Sequence, residues 1–147
     1  MSNRSNRMRR FNCFGLVVCL VFVATLKNIR ADDETGADIK PTPQTLRSLE
    51  KQINVARENS GLKKLVVIAE LSKKAQQHAN WMKENGLIHS GMGYPEIIAR
   101  GQKTPEGAVN AWLGSRGHRG IMLGGYTRYG VGCIVLDDRD YWIAIFE

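Results

Sequence analysis

An α+β domain, about four helices on a small antiparallel sheet, is the fold that this chain of 147 residues predicts. Three observations lead there. Apolar residues recur at helical spacing in two stretches, Leu46 to Ala56 and Leu71 to Met82. Two Thr-Pro pairs, Thr42-Pro43 and Thr104-Pro105, carry a capping residue followed by the residue best tolerated in a first helical turn. The tail then changes period, with Val131, Cys133 and Val135 alternating with Ile134 and Leu136 before a polar turn and a second apolar run, Tyr141 to Phe146. Helices followed by a hairpin define the class.

The N-terminus reads as an export signal and is set aside from the fold. Arg4, Arg7, Arg9 and Arg10 form a positive start, Phe11 to Leu26 an apolar run, and Ala31 a small residue ahead of Asp32-Asp33-Glu34. The apolar run is about 16 residues, short of the roughly 20 that span a bilayer as a helix. We therefore expect a signal peptide over 1–31, an uncleaved membrane anchor being the alternative. Residues 1–31 hold six of the 21 Lys and Arg and none of the 14 acids, so the remainder has 15 against 14, a net charge of +1. With no basic run longer than Lys63-Lys64 or Lys73-Lys74, nucleic acid is not an expected partner. Cys13 and Cys19 lie in the signal, leaving Cys133 and no internal disulfide in the exported chain. About 116 residues suffice to bury one core without such staples.

An acidic, proline-containing lead-in over 32–44 connects the signal to a single domain over 45–147. The first helix starts near Thr42-Pro43, places Leu46, Leu49, Ile53 and Ala56 on one face, and ends at Gly61. The second runs from about Glu70 to Asn85, with Leu71, Ala75, Ala79 and Met82 buried and Gly86 as the stop. His78 lies on or beside that stripe, either as a packed, hydrogen-bonded residue or as a third metal ligand; Trp81 falls off it, covering a loop or meeting a ligand. The third helix opens at Thr104-Pro105-Glu106, with Ala108, Val109 and Trp112 inward. Ser115 caps a short fourth helix carrying His118, Arg119, Met122 and Leu123, terminated by Gly124-Gly125.

The ordered set His89, Glu96, Thr104-Pro-Glu106, Trp112-Leu-Gly-Ser115-Arg-Gly-His118-Arg119, Gly130-Val-Gly132 and Tyr141-Trp142 resembles the bacterial-type branch of the CAP superfamily. That superfamily comprises the SCP-like extracellular domain of cysteine-rich secretory proteins, antigen 5 and pathogenesis-related 1 proteins. Asn54-x-x-Arg57-x-x-x-Gly61-Leu62-x-x-Leu65 is similar to its opening helix. The resemblance spans about Leu46 to Glu147 and implies an α-β-α sandwich. It also implies a cleft in which His89 and His118 match the two histidines and Glu96 one of two acids, the second acid being replaced by Ser115. The polar positions Asn and Gln of the family pattern have become Ile97, Ile121 and Ala144, and its Pro has become Arg116.

Two imidazoles and a carboxylate are ligand types that zinc accepts, and three protein ligands with an open position describe catalytic zinc. The resemblance thus makes His89, Glu96 and His118 candidate ligands of a divalent metal, with Ser115 in the same cleft. On a structural reading, His118 instead bonds near a helix start and Glu96 caps the turn Gly93-Tyr94-Pro95. No nucleophile assembly stands out: Ser90 only adjoins His89, Ser115 lacks an orienting acid, and Cys133 sits at a buried strand position. The expected function is a secreted or periplasmic, non-enzymatic domain binding a lipid, another small apolar molecule, a metal or an extracellular protein. A metal-dependent hydrolase acting on peptide or envelope material is the alternative, and a membrane-held interaction module would follow if the anchor were retained.

Overall fold

The computed structural model describes residues 41–136 and 139–147. The expected signal, most of the lead-in, and Asp137 and Asp138 of the polar turn lie outside the described residues. The elements are α1 (Pro43–Asn59), β1 (Val66–Val67), α2 (Ala69–Asn85), β2 (Glu96–Arg100), α3 (Pro105–Gly114), α4 (Arg116–Met122), β3 (Arg128–Ile134) and β4 (Tyr141–Phe146).

Each Thr-Pro pair opens a helix as the residues require. The Thr42 hydroxyl accepts from the Thr45 amide and the Thr104 hydroxyl from the Gly107 amide, so each satisfies one of the amides that a helix start leaves unpaired. Helix α1 begins at Pro43, two residues ahead of the expected domain boundary. It ends where Gly61 takes a φ of 75°, a conformation costly for a residue with a Cβ. Ser115 holds the N-cap position of α4, yet its hydroxyl makes no capping bond, so that helix starts without the expected side-chain cap. Helix α4 also ends at Met122, with Leu123 as C-cap, ahead of Gly124-Gly125.

The sheet runs β1-β3-β4-β2 and is mixed, which corrects the antiparallel expectation. Strand β3 pairs antiparallel with β4, and β4 with β2, but β1 joins β3 in parallel. Both additional strands escape the sequence periodicity for physical reasons. Strand β1 is two residues long, and β2 reads Glu-Ile-Ile-Ala-Arg, buried on both faces from Glu96 to Ala99, so no polar alternation marks it.

The layers follow from the pleat. Ile97 and Ala99, Tyr129, Val131 and Cys133, and Trp142, Ala144 and Phe146 face α1, α3 and α4, where Leu49, Ile53, Val109, Trp112 and Met122 meet them. Ile98, Ile134, Tyr141, Ile143 and Ile145 face the α2 stripe of Leu71, Ala75, Ala79 and Met82. The result is helix, sheet, helix.

The motif in α1 is a set of buried fasteners. Asn54 accepts from the Leu65 amide at 2.9 Å and donates to the Leu65 carbonyl at 3.2 Å, and the Arg57 guanidinium donates to the carbonyls of Lys63, Met122 and Gly124. Arg57 is buried, and its pKa is lowered by that burial. Its charge is met by three carbonyls, of which those of Met122 and Gly124 fix the end of α4 against α1.

Candidate functional site

The candidate residues lie on the loop after α2, the first residue of β2 and the middle of α4, a helix that contacts β2. Gly86 (φ 89°) ends α2, and Gly91 and Gly93, also at positive φ, turn the chain back toward β2. His89 sits between these turns with an exposed side chain. Glu96, at the head of β2, is 7% exposed.

A buried carboxylate needs donors, and Glu96 has three. Its Oε1 lies 2.9 Å from His89 Nδ1 and also accepts from the Ser90 amide, while Oε2 accepts from the Ser90 hydroxyl. Because a carboxylate only accepts, the His89 ring donates from Nδ1, and in the neutral ring this leaves Nε2 as a free acceptor. This is the outer-sphere arrangement that orients metal-ligating or proton-transferring histidines. The carboxylate of Glu96 bonds to His89 and Ser90, whereas the structural reading of the sequence has it cap the Gly93-Tyr94-Pro95 turn. Ser90, set aside as a nucleophile partner, is the residue whose role the sequence concealed; its place beside His89, six residues before Glu96, was the signal available to find it.

His118 is half-buried on α4. Burial first, and then the charge of His89, hold its pKa below the usual imidazole value. His118 is thus biased toward the neutral form that binds a metal or accepts a proton. Ser115 stands three residues earlier, half-buried at the α3–α4 junction.

Three of the four substituted positions serve packing, while Arg116 is exposed. Ile97 and Ala144 are cross-strand partners, both wholly buried, and Ile121 packs against the same core. Among the described residues, no three of His, Cys, Asp and Glu are grouped so as to share an ion. Three of the roughly four acceptor directions of Glu96 are already engaged, so the donor set fits two imidazoles with Glu96 behind one of them better than three equal ligands.

His78 is buried on α2, and its Nε2 lies 2.7 Å from the Ile88 carbonyl, with the Trp81 ring stacked on it at 5.4 Å. It belongs to the packed, hydrogen-bonded class. Trp81 covers His78 while remaining 43% exposed.

The family model for CAP, the cysteine-rich secretory protein family, matches residues 51–146, the span that carries both histidines, Glu96 and the whole sheet. The chain belongs to the CAP family. Among its relatives, the uncharacterized protein YkwD of Bacillus subtilis (strain 168) is 35% identical over 115 residues, covering 63% of this chain and 45% of that protein. The chain thus spans less than half the length of this relative.

The CAP fold recurs in solved structures. An outer surface protein from Borrelia burgdorferi superposes with a TM-score of 0.66 at 23% identity, covering 76% of this chain and 96% of that one. An extracellular protein containing an SCP domain from Bacillus anthracis strain Ames gives 0.58 at 24% identity, covering 71% and 41%. Hookworm platelet inhibitor gives 0.56 at 11% identity, covering 71% and 69%. At these identities the likeness establishes the sandwich. Among the described residues, no helix is long and apolar enough to cross a membrane.

Proposed function

We propose that this chain is a secreted CAP domain that binds its ligand between His89 and His118 and does not act as a hydrolase. The observation that carries the reading is the engagement of Glu96 by His89 and Ser90. A hydrolase of the expected kind needs a carboxylate free to ligate a metal or to accept a proton from water, and this one is committed to orienting His89.

His89 through Nε2 and His118 through its neutral ring would hold a divalent metal such as zinc, with Glu96 supporting His89. Such an ion would supply a Lewis-acid contact to a ligand oxygen. The chain's own residues bind and orient: Glu96 fixes the His89 tautomer, and burial biases His118 toward its neutral form. The exposed Leu87, Ile88 and Met92 on the same loop favour an apolar body on the ligand, a lipid or another small apolar molecule, with an extracellular protein as the other expected partner. Secretion is supported by the Arg-rich start and the apolar run that follows it.

Calorimetric titration with zinc tests the reading. The wild type should take up one ion per chain, and the double change His89→Ala, His118→Ala should lose it while keeping its circular dichroism. Equal uptake by both proteins would remove the pair from any metal site. Hydrolysis of peptide or envelope material that depends on Glu96 would restore the enzymatic alternative.

A further inference from the structure

Resting on the reading that His89 works in the cleft, we propose that His78 is its positioning residue, acting through the backbone of the loop that carries it. Between the Gly86 amide, which caps α2 through the Met82 carbonyl, and the Pro95 carbonyl, which accepts from Phe146, the loop is fastened by side chains. Two of these fasteners bracket His89. The Ile88 carbonyl accepts from His78 Nε2 on one side, and the Ser90 amide donates to Glu96 on the other. One anchor belongs to α2 and one to β2, so the place of residue 89 is defined from both layers.

The chemistry of the α2 stripe supports a specific role. Its other buried residues, Leu71, Ala75, Ala79 and Met82, are apolar, and a residue serving only to fill space there would be expected to match them. A buried ring nitrogen must instead find a partner, and the one it finds belongs to the residue immediately before His89. Because a carbonyl only accepts, Nε2 carries the hydrogen. Protonation at Nδ1 leaves that donor in place, so the tether holds in either charge state. Trp81, stacked on the ring with an interplanar angle of 15°, restrains the ring.

The test replaces His78 in the whole protein and reads His89 without any ligand present. His78→Phe keeps an aromatic ring for Trp81 but has no donor, His78→Gln keeps a donor, and His78→Met makes the smallest demand on the packing. We expect His78→Phe to speed exchange of the Ser90 amide by roughly fivefold to tenfold, the scale of one lost hydrogen bond. It should also reduce the Nδ1-protonated tautomer of His89 in nitrogen NMR, with both effects reversed in His78→Gln. Unchanged Ser90 exchange and an unchanged His89 tautomer in a folded His78→Phe would overturn the proposal. So would failure of both His78→Phe and His78→Met to fold, which would make His78 a general core residue. A zinc titration of the same variants separates the two ideas: loss of the tautomer signature with wild-type zinc uptake leaves the tether standing and removes His89 from the metal site.

Discussion

A Cβ on Gly132 would lie 2.6 Å from the carbonyl oxygen of Ala75, so the absence of a side chain on β3 is what lets α2 rest directly on the sheet. Gly130 meets the backbone of Leu71 and Ser72 in the same way, one turn earlier along the helix. At this approach, helix side chains serve the strand: Ser72 accepts from the Val131 amide, and Gln76 both donates to the Cys133 carbonyl and accepts from its amide. Strand β1, which pairs only with Arg128 and Tyr129, is too short to reach these groups.

Gly132→Ala should therefore be costly even though alanine suits a strand no worse than glycine. The obstacle is helix backbone, which cannot rotate away, so the loss should reach or exceed the upper end of the about 1 to 3 kcal/mol typical of overpacking. Urea unfolding measures it. A change at Gly114, where an added Cβ meets nothing within 4 Å, is the control and should cost much less.

The two core tryptophans should respond differently to loss of the indole nitrogen. Both are buried, and truncation of either to alanine should cost about 3 to 5 kcal/mol. Trp142 Nε1 donates to the Gln102 carbonyl at 2.7 Å, whereas Trp112 Nε1 has no partner among the described residues. Trp142→Phe should consequently lose about 1 kcal/mol more than Trp112→Phe, the net worth of one hydrogen bond. Thermal melts of the two phenylalanine variants compare them directly.

Much of this was written in the chain, and the divisions are physical. Local signals are self-contained: Thr42-Pro43 and Thr104-Pro105 cap helices from within four residues, and the inward stripes of α1, α2 and α3 need only a period. What lay hidden depends on residues distant in sequence. Strand β2 exists because β4 pairs with it, and Gly130 and Gly132 are needed because α2 crosses them. The three candidate residues were named only through a resemblance to a family, and the bonds that Glu96 makes to His89 and Ser90 required the structure.

Cys133 should be inert in the folded protein. Burial, reinforced by the charge of Asp140, pushes its thiol up to about 12, so at pH 8 almost none of it is thiolate, the form that reacts. Incubation with iodoacetamide should leave Cys133 unmodified under native conditions and modify it fully in denaturant. Rapid native labelling would mean that β3 opens locally.

The exported protein should begin close to residue 32. This follows from the sequence of the first 31 residues, whose charge and apolar length suit a cleaved signal. Mass spectrometry of the protein recovered outside the cell should give an N-terminus within residues 28–34. An intact chain recovered with membranes would establish the anchor instead.

The pH response of zinc binding is the sharpest check on the cleft. His118 has its pKa lowered in the fold by burial and by His89, so the unfolded chain takes up a proton first, near the ordinary value of about 6.5. Its contribution is then a loss of stability that sets in as pH falls through about 6.5 and is complete below the lowered folded value; above about 6.5 it vanishes. Zinc requires both imidazoles unprotonated, so protons compete with it over the same range. An ion that binds only the folded state adds on the order of 2.7 kcal/mol at a hundredfold excess over its dissociation constant. Zinc should accordingly raise the melting temperature clearly at about pH 7.5 and far less at about pH 5. Glu96→Gln should weaken the rise without abolishing it, because the glutamine can still accept from His89, whereas the double change His89→Ala, His118→Ala should eliminate it. A wild-type shift of equal size at both pH values would mean that the ion sits away from these histidines.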